Sequence, residues 1–360
     1  MFSPADHEFM GQALLLAGRG LYTTTPNPRV GCVVVNDGAV VGTGWHEKAG
    51  LPHAEVLALA AAGARARGAT LYLNLEPCSH HGRTPPCVDA IIAAGVKRIV
   101  AAIQDPNPKV AGMGFAKLRA AGIAVEHGLK EDEARELNIG FFARMTRGRP
   151  WVRMKIAASL DGRTALANGK SQWITGEVAR QDGHRWRARA CAVLTGFGTV
   201  RDDDPQLNVR GVDTPRQPLK IIVDSKIETS PSVRMLKEGK TLVVGAVNDA
   251  KKIAALKAVG AETAIISNAG GKVELFKLME ELARRELNEI HIEAGTKLNG
   301  SLLQAGVVDE LLVYLAPSII GDSGRGMFSL PELTELSQTT GLKIREIERV
   351  GAEIRILARI

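Results

Sequence analysis

The sequence predicts an α/β protein of two layered domains, and three observations carry that prediction. Strand-like and helix-like segments alternate from residue 6 to about residue 103, the pattern of strands covered by helices. After Arg147-Gly148-Arg149-Pro150 the alternation restarts. The 360 residues suit about two domains of roughly 150–200 residues each. We therefore expect domains at 1–146 and 147–360. Hydrophobic content of 45% and charged content of 24% are ordinary for globular chains.

In order, residues 6–18 have helical periodicity with a start at Asp6. Val30 to Val35 reads as a buried strand, Asn36-Asp37-Gly38 as its turn, and Ala39 to Gly44 as the returning strand. A helix is expected from His53 through an Ala-rich stretch to Arg67, then a strand at 69–75. A third helix runs from Pro86-Cys87 to Gly95, and Lys97 to Ile103 forms a strand before the Asp105-Pro106-Asn107-Pro108 turn. Residues 131–150 read as a helical linker. Beyond it, strands are expected at 151–158, 191–196, 219–224, 241–247, 263–266, 289–293 and 311–316, and helices at 177–189, 249–259 and 273–287. Lys343 to Ile360 reads as a strand or hairpin closing the second sheet.

Composition narrows the function. No apolar run approaches the roughly 18 residues of a membrane span. The N-terminus has acids where a signal peptide carries positive charge, so a cytoplasmic protein is expected. The net charge of +7 is spread, +3 through Arg149 and +4 after it, with no run of five Lys or Arg, which argues against nucleic acid. Three of four Cys and six of eight His precede residue 150, a bias that suggests metal more than disulfide. Cys32 and Cys191 sit in apolar strands and read as core.

The strongest signal is His53-Ala54-Glu55 followed by Pro77-Cys78 and Cys87. Zinc favours imidazole and thiolate, and three protein ligands leave a fourth position for water. Bound zinc lowers the pKa of water to about 7. Glu55, two residues past His53 in the first turn of a helix, could shuttle that water's proton. Cys87 falls at a helix N-terminus, where the dipole favours thiolate. The H-x-E and P-C elements match the zinc deaminase signature, but here the second Cys comes nine residues after the first rather than three. A closed structural site using His80 or His81 as fourth ligand would leave Glu55 without a role.

Those motifs, with Thr25-Pro26-Asn27-Pro28-Arg29-Val30-Gly31, Gly42-Thr43-Gly44-Trp45-His46 and Ser79-His80-His81-Gly82-Arg83-Thr84-Pro85-Pro86 between the cysteines, resemble the bifunctional deaminase–reductases of riboflavin biosynthesis. The resemblance covers the whole chain. It implies a cytidine-deaminase-like three-layer N-terminal domain and a dihydrofolate-reductase-like C-terminal domain. It implies that His53, Cys78 and Cys87 hold one zinc ion, that Glu55 is the proton donor, that Asn27 and His46 line the pyrimidine pocket, and that His80 and Arg83 meet a ribose phosphate. On residue type alone, Asn27 could shape a turn, and His46 and His80 could be solvated loop residues.

In the second half, Gly196-Phe197-Gly198-Thr199-Val200-Arg201 and Gly321 to Gly326 both fail the dinucleotide glycine fingerprint. The resemblance continues through Met154–Arg163, Ser171-Gln172-Trp173-Ile174-Thr175, Asp203-Asp204-Pro205, Val223-Asp224-Ser225 and Glu293-Ala294-Gly295. It implies NADPH contacts from Ala157, Trp173, Thr199, Ser225 and the turn Gly295, Thr296, Lys297, Leu298, Asn299, Gly300 and Ser301. It implies substrate contacts from Ser171, Arg187, Asp203, Leu207, Arg210 and Glu293. Thr296 departs from the Pro often found there, which bears on the turn's stiffness. Arg187 and Arg210 suit phosphate, and a helix starting near Asn299 would offer free N–H groups. Read locally, Trp173 could be core, Asp203 a turn cap and Arg187 part of a solvated helix face.

The expected activity is hydrolytic deamination of 2,5-diamino-6-ribosylamino-4(3H)-pyrimidinone 5′-phosphate. NADPH-dependent reduction of the ribosyl to the ribityl chain follows, with Asp203 and Glu293 as candidate acids. The expected partners are this phosphorylated pyrimidine and a second copy of the chain, a homodimer, with neither nucleic acid nor membrane. Two other classes stay open here: a deaminase of bases in RNA, and a zinc-stabilised interaction protein. The 4% aromatic content offers few stacking platforms for the first.

Overall fold

The computed structural model describes residues 1–81, 85–108 and 110–360. The chain divides into two compact units, Met1–Gly148 and Arg149–Ile360.

The first unit runs α1 (Pro4–Gly18), β1 (Gly31–Asn36), β2 (Ala39–Trp45), α2 (Ala54–Ala62), β3 (Thr70–Leu73), α3 (Cys87–Ala93), β4 (Arg98–Ala101), α4 (Met113–Ala120), β5 (Ala124–His127), α5 (Glu131–Leu137) and α6 (Ile139–Arg147). The sheet order is β2-β1-β3-β4-β5, with β1 antiparallel to both its neighbours and β3, β4 and β5 parallel. Alternation along β1 splits the core. Cys32 and Val34 pack with residues of α2, α3 and α4, whereas Val33 and Val35 pack with α1 and with Phe141 and Phe142 of α6. The result is three layers, helix–sheet–helix.

Helix α1 starts earlier than the periodicity suggests because Ser3 caps it. The Ser3 hydroxyl accepts the Asp6 N–H while Asp6 accepts from the Ser3 N–H, a reciprocal cap worth about 1 kcal/mol. Asp37 and Gly38 both take positive φ, as a two-residue hairpin turn requires. The helix expected to reach Arg67 ends at Ala62, where Gly63 turns to φ 56°, and a short 3-10 turn Gly63–Ala66 follows. The expected linker at 131–150 is two helices. Asn138 between them bonds both the N–H and the carbonyl of Arg29. Helix α4 and strand β5 have no counterpart in the sequence expectations.

The second unit runs β6 (Trp151–Ser159), β7 (Arg163–Ala165), α7 (Glu177–Arg189), β8 (Ala192–Gly196), α8 (Phe197–Asp203), β9 (Leu219–Val223), β10 (Thr241–Gly245), α9 (Ala250–Ala258), β11 (Glu262–Ile265), α10 (Leu275–Arg284), β12 (Glu289–Ile292), α11 (Thr296–Gln304), β13 (Glu310–Ala316), β14 (Arg325–Gly326), β15 (Lys343–Val350) and β16 (Glu353–Arg359). Nine strands form one sheet, β11-β10-β9-β8-β12-β6-β13-β16-β15. The first seven are parallel, and the β15–β16 hairpin closes the edge antiparallel. Strands β7 and β14 pair separately.

The two faces of this sheet differ. One is apolar: Val152, Met154, Ile156, Ile290 and Ile292 pack with Leu278, Met279 and Leu282 of α10 and Leu302 of α11. The other face, from the alternate residues of β6, β12 and β13, carries Arg153, Lys155, Glu289, His291, Glu293 and Glu310. Arg153 is 1% exposed, 2.6 Å from Glu310 and 3.3 Å from Glu289, with the Trp186 ring of α7 4.4 Å away. Buried charges persist when paired in this way. No described helix is long and apolar enough to cross a membrane.

Candidate active sites

In the first unit, β2 sets the position of α2. A Cβ on Gly42 would stand 2.3 Å from the Ala58 carbonyl oxygen, and one on Gly44 2.4 Å from that of Ala54. Only glycine lets the helix lie this close to the strand. Helix α2 then presents His53 as its N-cap residue and Glu55 in its first turn. Cys78 follows β3, and Cys87 opens α3.

One ligand atom from each of His53, Cys78 and Cys87 lies within 4.8 Å of the others. Three ligands at about 2.0–2.3 Å from one tetrahedral ion stand roughly 3–4 Å apart, so the set fits zinc in both spacing and donor type. His53 Nδ1 is 3.2 Å from Cys87 Sγ and 3.6 Å from Cys78 Sγ, and the Cys87 N–H donates to Cys78 Sγ at 3.3 Å. The side-chain hydrogen bond between the two sulfurs draws the Cys78 thiol down and, with burial, pushes the Cys87 thiol up.

Glu55 is 3% exposed, and its Oε2 has no hydrogen-bond partner. Burial pushes its carboxyl up, against the pull of His53. An unpaired buried carboxyl oxygen costs about 1–3 kcal/mol, which marks a group kept for something other than stability. His46 is buried rather than solvated. Its Nδ1 is 3.2 Å from the Pro52 carbonyl oxygen and its Nε2 3.0 Å from the Asn27 amide nitrogen. Taken together, these bonds place the ring proton on Nδ1, so the Asn27 amide donates to Nε2. The His46 ring meets that of His53 edge-on at 5.1 Å. Asn27 thus joins the metal cluster through His46 and is more than a turn former. His80 is half-buried with Nδ1 lacking a partner. Arg83 lies outside the described residues.

In the second unit, several expected residues stand just beyond the C-terminal ends of consecutive parallel strands. Ser225 follows β9, Thr199 lies in α8 after β8, and Glu293 and Gly295 follow β12. Ligands of open parallel sheets bind at this edge. A Cβ on Gly295 would meet Thr199 Oγ1 at 3.8 Å, so these two face each other. Helix α11 starts at Thr296, not near Asn299. The first backbone N–H groups without intrahelical partners are therefore those of Thr296, Lys297 and Leu298. Asn299 and Gly300 are buried against residues 327–329, Asn299 donating to the Met327 carbonyl at 3.3 Å. Ser301 donates to the Lys297 carbonyl, and Ala157 is half-buried on β6.

Arg187 is not on a solvated face. It forks onto Glu293, with Nη2 to Oε2 at 2.9 Å and Nε to Oε1, and donates to the Asn208 carbonyl at 3.0 Å. Although burial opposes its charge, Arg187 and Lys155 hold Glu293 well below the usual carboxylate range. Arg210 bonds the Asn208 side chain, and its own N–H donates to His184 Nδ1 at 3.2 Å. Burial, with Arg187 and Arg210 nearby, brings His184 down to about 4. Asp203 lies at the end of α8, its carboxyl raised by burial and by Asp202. Leu207 packs into the core, leaving its backbone as what it can offer a ligand. Ser171 is half-buried. Trp173 is 70% exposed, not core, with the Arg180 guanidinium 4.7 Å over its ring.

Sequence reasoning missed Lys155 and His184. Lys155 Nζ is 3.9 Å from Glu293 Oε2, and burial lowers its pKa. The signal was a lysine inside the strand expected at 151–158.

Residues 150–356 match the profile of the RibD C-terminal domain, and residues 3–103 that of the cytidine and deoxycytidylate deaminase zinc-binding region. The riboflavin biosynthesis protein RibD of Escherichia coli is 48% identical, over 97% of this chain and 98% of its own. That of Haemophilus influenzae is 45% identical, over 99% and 97%. Among solved structures, Acinetobacter baumannii RibD superposes with a TM-score of 0.92 at 43% identity, covering 99% of this chain and 98% of that one. A Thermotoga maritima diaminohydroxyphosphoribosylaminopyrimidine deaminase/5-amino-6-(5-phosphoribosylamino)uracil reductase superposes with a TM-score of 0.88 at 34% identity, again covering 99% and 98%. With a deaminase-type half and a reductase-type half matched along essentially its whole length, the chain belongs to the RibD family of riboflavin biosynthesis proteins.

Proposed function

We propose that the chain catalyses two consecutive steps of riboflavin biosynthesis. The first is deamination of 2,5-diamino-6-ribosylamino-4(3H)-pyrimidinone 5′-phosphate in the 1–146 domain. The second is reduction of the ribosyl side chain in the 147–360 domain. The observation that carries this reading is the buried Glu55 carboxyl, with its Oε2 lacking a partner, beside the His53, Cys78 and Cys87 cluster.

In the deaminase site, His53, Cys78 and Cys87 would hold zinc, which when bound would supply a water that is nucleophilic near neutral pH. Glu55 would take a proton from the attacking water and return it to the departing amine, a role suited to a carboxyl whose pKa burial raises. The Asn27–His46 pair orients the ring, because the bond to His46 fixes the Asn27 amide and leaves its oxygen for the substrate. His80 and Arg83 meet the phosphate.

In the reductase site, bound NADPH would supply a hydride for C1′ of the ribosyl chain. Thr199, Ser225 and residues Gly295 to Ser301 would hold the cofactor, with contacts from Ala157 and Trp173. Arg187 and Arg210 take the substrate phosphate, and Ser171 and Leu207 add contacts. Glu293, held ionised, keeps the Lys155 and Arg187 cations in place. Asp203, with its raised pKa, is the better proton donor of the two candidates. We further place the enzyme in the cytoplasm as a homodimer.

The test supplies the pyrimidine phosphate with and without NADPH. Ammonia release without NADPH, followed by NADPH consumption when it is added, is the expected order. NADPH oxidation with no prior ammonia release would sink the proposed sequence of steps.

A further inference from the structure

His291 is fully buried, yet neither of its ring nitrogens has a hydrogen-bond partner. Leaving a polar group unmet in the interior costs about 1–3 kcal/mol. Packing does not call for the ring. Strand β12 sends Ile290 and Ile292 into the apolar core and His291 to the opposite face, between Glu289 and Glu293. Its register neighbours are Arg153 of β6 and Val193 of β8. Val193 belongs to an apolar cluster, so an apolar side chain at 291 would extend that surface and leave no donor unmet.

What stands next to the ring is Glu293. His291 Nε2 is 3.4 Å from Glu293 Oε1. A well-formed N–H···O bond spans about 2.7–3.2 Å, so a small side-chain adjustment closes the gap. The carboxylate has a place for it. Each carboxylate oxygen accepts two bonds, and Arg187 Nε takes one on Oε1. On Oε2, Arg187 Nη2 sits at 2.9 Å and Lys155 Nζ at 3.9 Å. The His291 ring is 0% exposed, whereas Glu293, one residue past the end of β12, is 14% exposed. The ring therefore backs the carboxylate from the interior, and the carboxylate opens toward the strand ends. Burial, with Arg187 and Arg153 nearby, lowers the pKa of the ring although Glu293 pulls the other way, so His291 is a neutral donor.

We infer that His291 is a positioning residue of the reductase site: its Nε2–H steadies Glu293 Oε1 from the interior side and so sets how the carboxylate meets the pyrimidine substrate. The inference rests on the reductase reading of Glu293. Arg187 does not suffice for this task, because it also donates to the Asn208 carbonyl and is assigned the substrate phosphate. Neither nitrogen of His291 is committed elsewhere. His291→Phe keeps a flat ring and removes the donor. His291→Gln brings an amide N–H close to the place of Nε2.

The experiment measures three properties of the full-length enzyme: thermal stability, steady-state reduction of the deaminated substrate, and the nitrogen NMR of histidine-labelled protein. The melting temperature of His291→Phe should equal or exceed that of the wild type, since a buried unmet donor is gone. Its KM for the deaminated substrate should rise about 10-fold, with kcat within about 3-fold and the KM for NADPH unchanged. His291→Gln should recover most of that loss. The histidine resonance missing from His291→Phe should report a neutral ring with its proton on Nε2 at about pH 7. An unaltered KM in His291→Phe overturns the inference. So does a melting temperature that falls together with activity, which makes the ring structural, or a Gln variant as impaired as the Phe variant. A proton on Nδ1 overturns it as well. If the wild type oxidises no NADPH, the reductase reading fails by itself, and the NMR measurement still decides whether the Nε2–H faces Glu293.

Discussion

The two sites treat their central carboxylates in opposite ways. Glu55 is buried with one oxygen unpaired, and burial raises its pKa. Glu293 is forked by Arg187 and approached by Lys155, and its pKa lies well below the ordinary range. The two carboxyls therefore shift in opposite directions, because the neighbouring charges decide the sign. A carboxyl without a cation can change protonation state within a turnover. A carboxylate between two cations is fixed and organises what surrounds it.

The largest expected effect sharpens the first half of that contrast. Glu55→Gln should lower ammonia release by about 10²–10⁴-fold, the usual contribution of a positioned acid/base, while zinc stays bound. Ammonia release that survives in the zinc-loaded variant would remove Glu55 from the proton path. The second half is tested by Arg187→Ala. Losing charge-assisted bonds worth about 1.5–3 kcal/mol predicts a reductase kcat/KM lower by roughly 10–150-fold, with deamination unaffected. An unchanged reductase would mean that Arg187 serves only the fold.

Acid titration separates the carboxylates by sign. A folded pKa depressed below the unfolded value contributes stability above the unfolded pKa, about 4.3 for Glu, and loses it as pH falls toward the folded value. Unfolding by denaturant between about pH 5 and pH 2 should accordingly show a shallower acid loss in Glu293→Gln than in wild type. Equal slopes would contradict the depressed pKa. The smallest effect concerns Lys226, exposed just past Ser225 at the end of β9. Lys226→Ala is expected to shrink the preference for NADPH over NADH several-fold, by removal of a charge suited to a 2′-phosphate. A ratio that does not move would place that phosphate elsewhere.

The sequence was most legible where chemistry is local. His53 and Glu55 share one helical turn, and Cys78 and Cys87 flank one loop, so spacing exposed all four before any coordinates. Most strands of both sheets were legible for the same reason, since they are short Val-, Ile- or Leu-rich runs. What escaped depends on distant partners or weak periodicity. Strand β5 is four residues with none buried, and α4 opens with Met113-Gly114 after a left-handed Gly112. Helix α8 carries Gly198 and was read against a glycine motif instead of as helix. Lys155 was passed over because its partner Glu293 lies 138 positions away.

The two glycines of β2 have a consequence for how this enzyme can change. They let α2 rest on bare backbone, so the His53 imidazole and the Glu55 carboxyl, the proposed metal ligand and proton carrier, ride on one rigid body whose floor has no adjustable side chain. A substitution under α2 displaces both groups together and cannot retune one alone. New substrate tolerance in this half must therefore come from its loops, and a library that randomises Gly42 or Gly44 should return the parental residue.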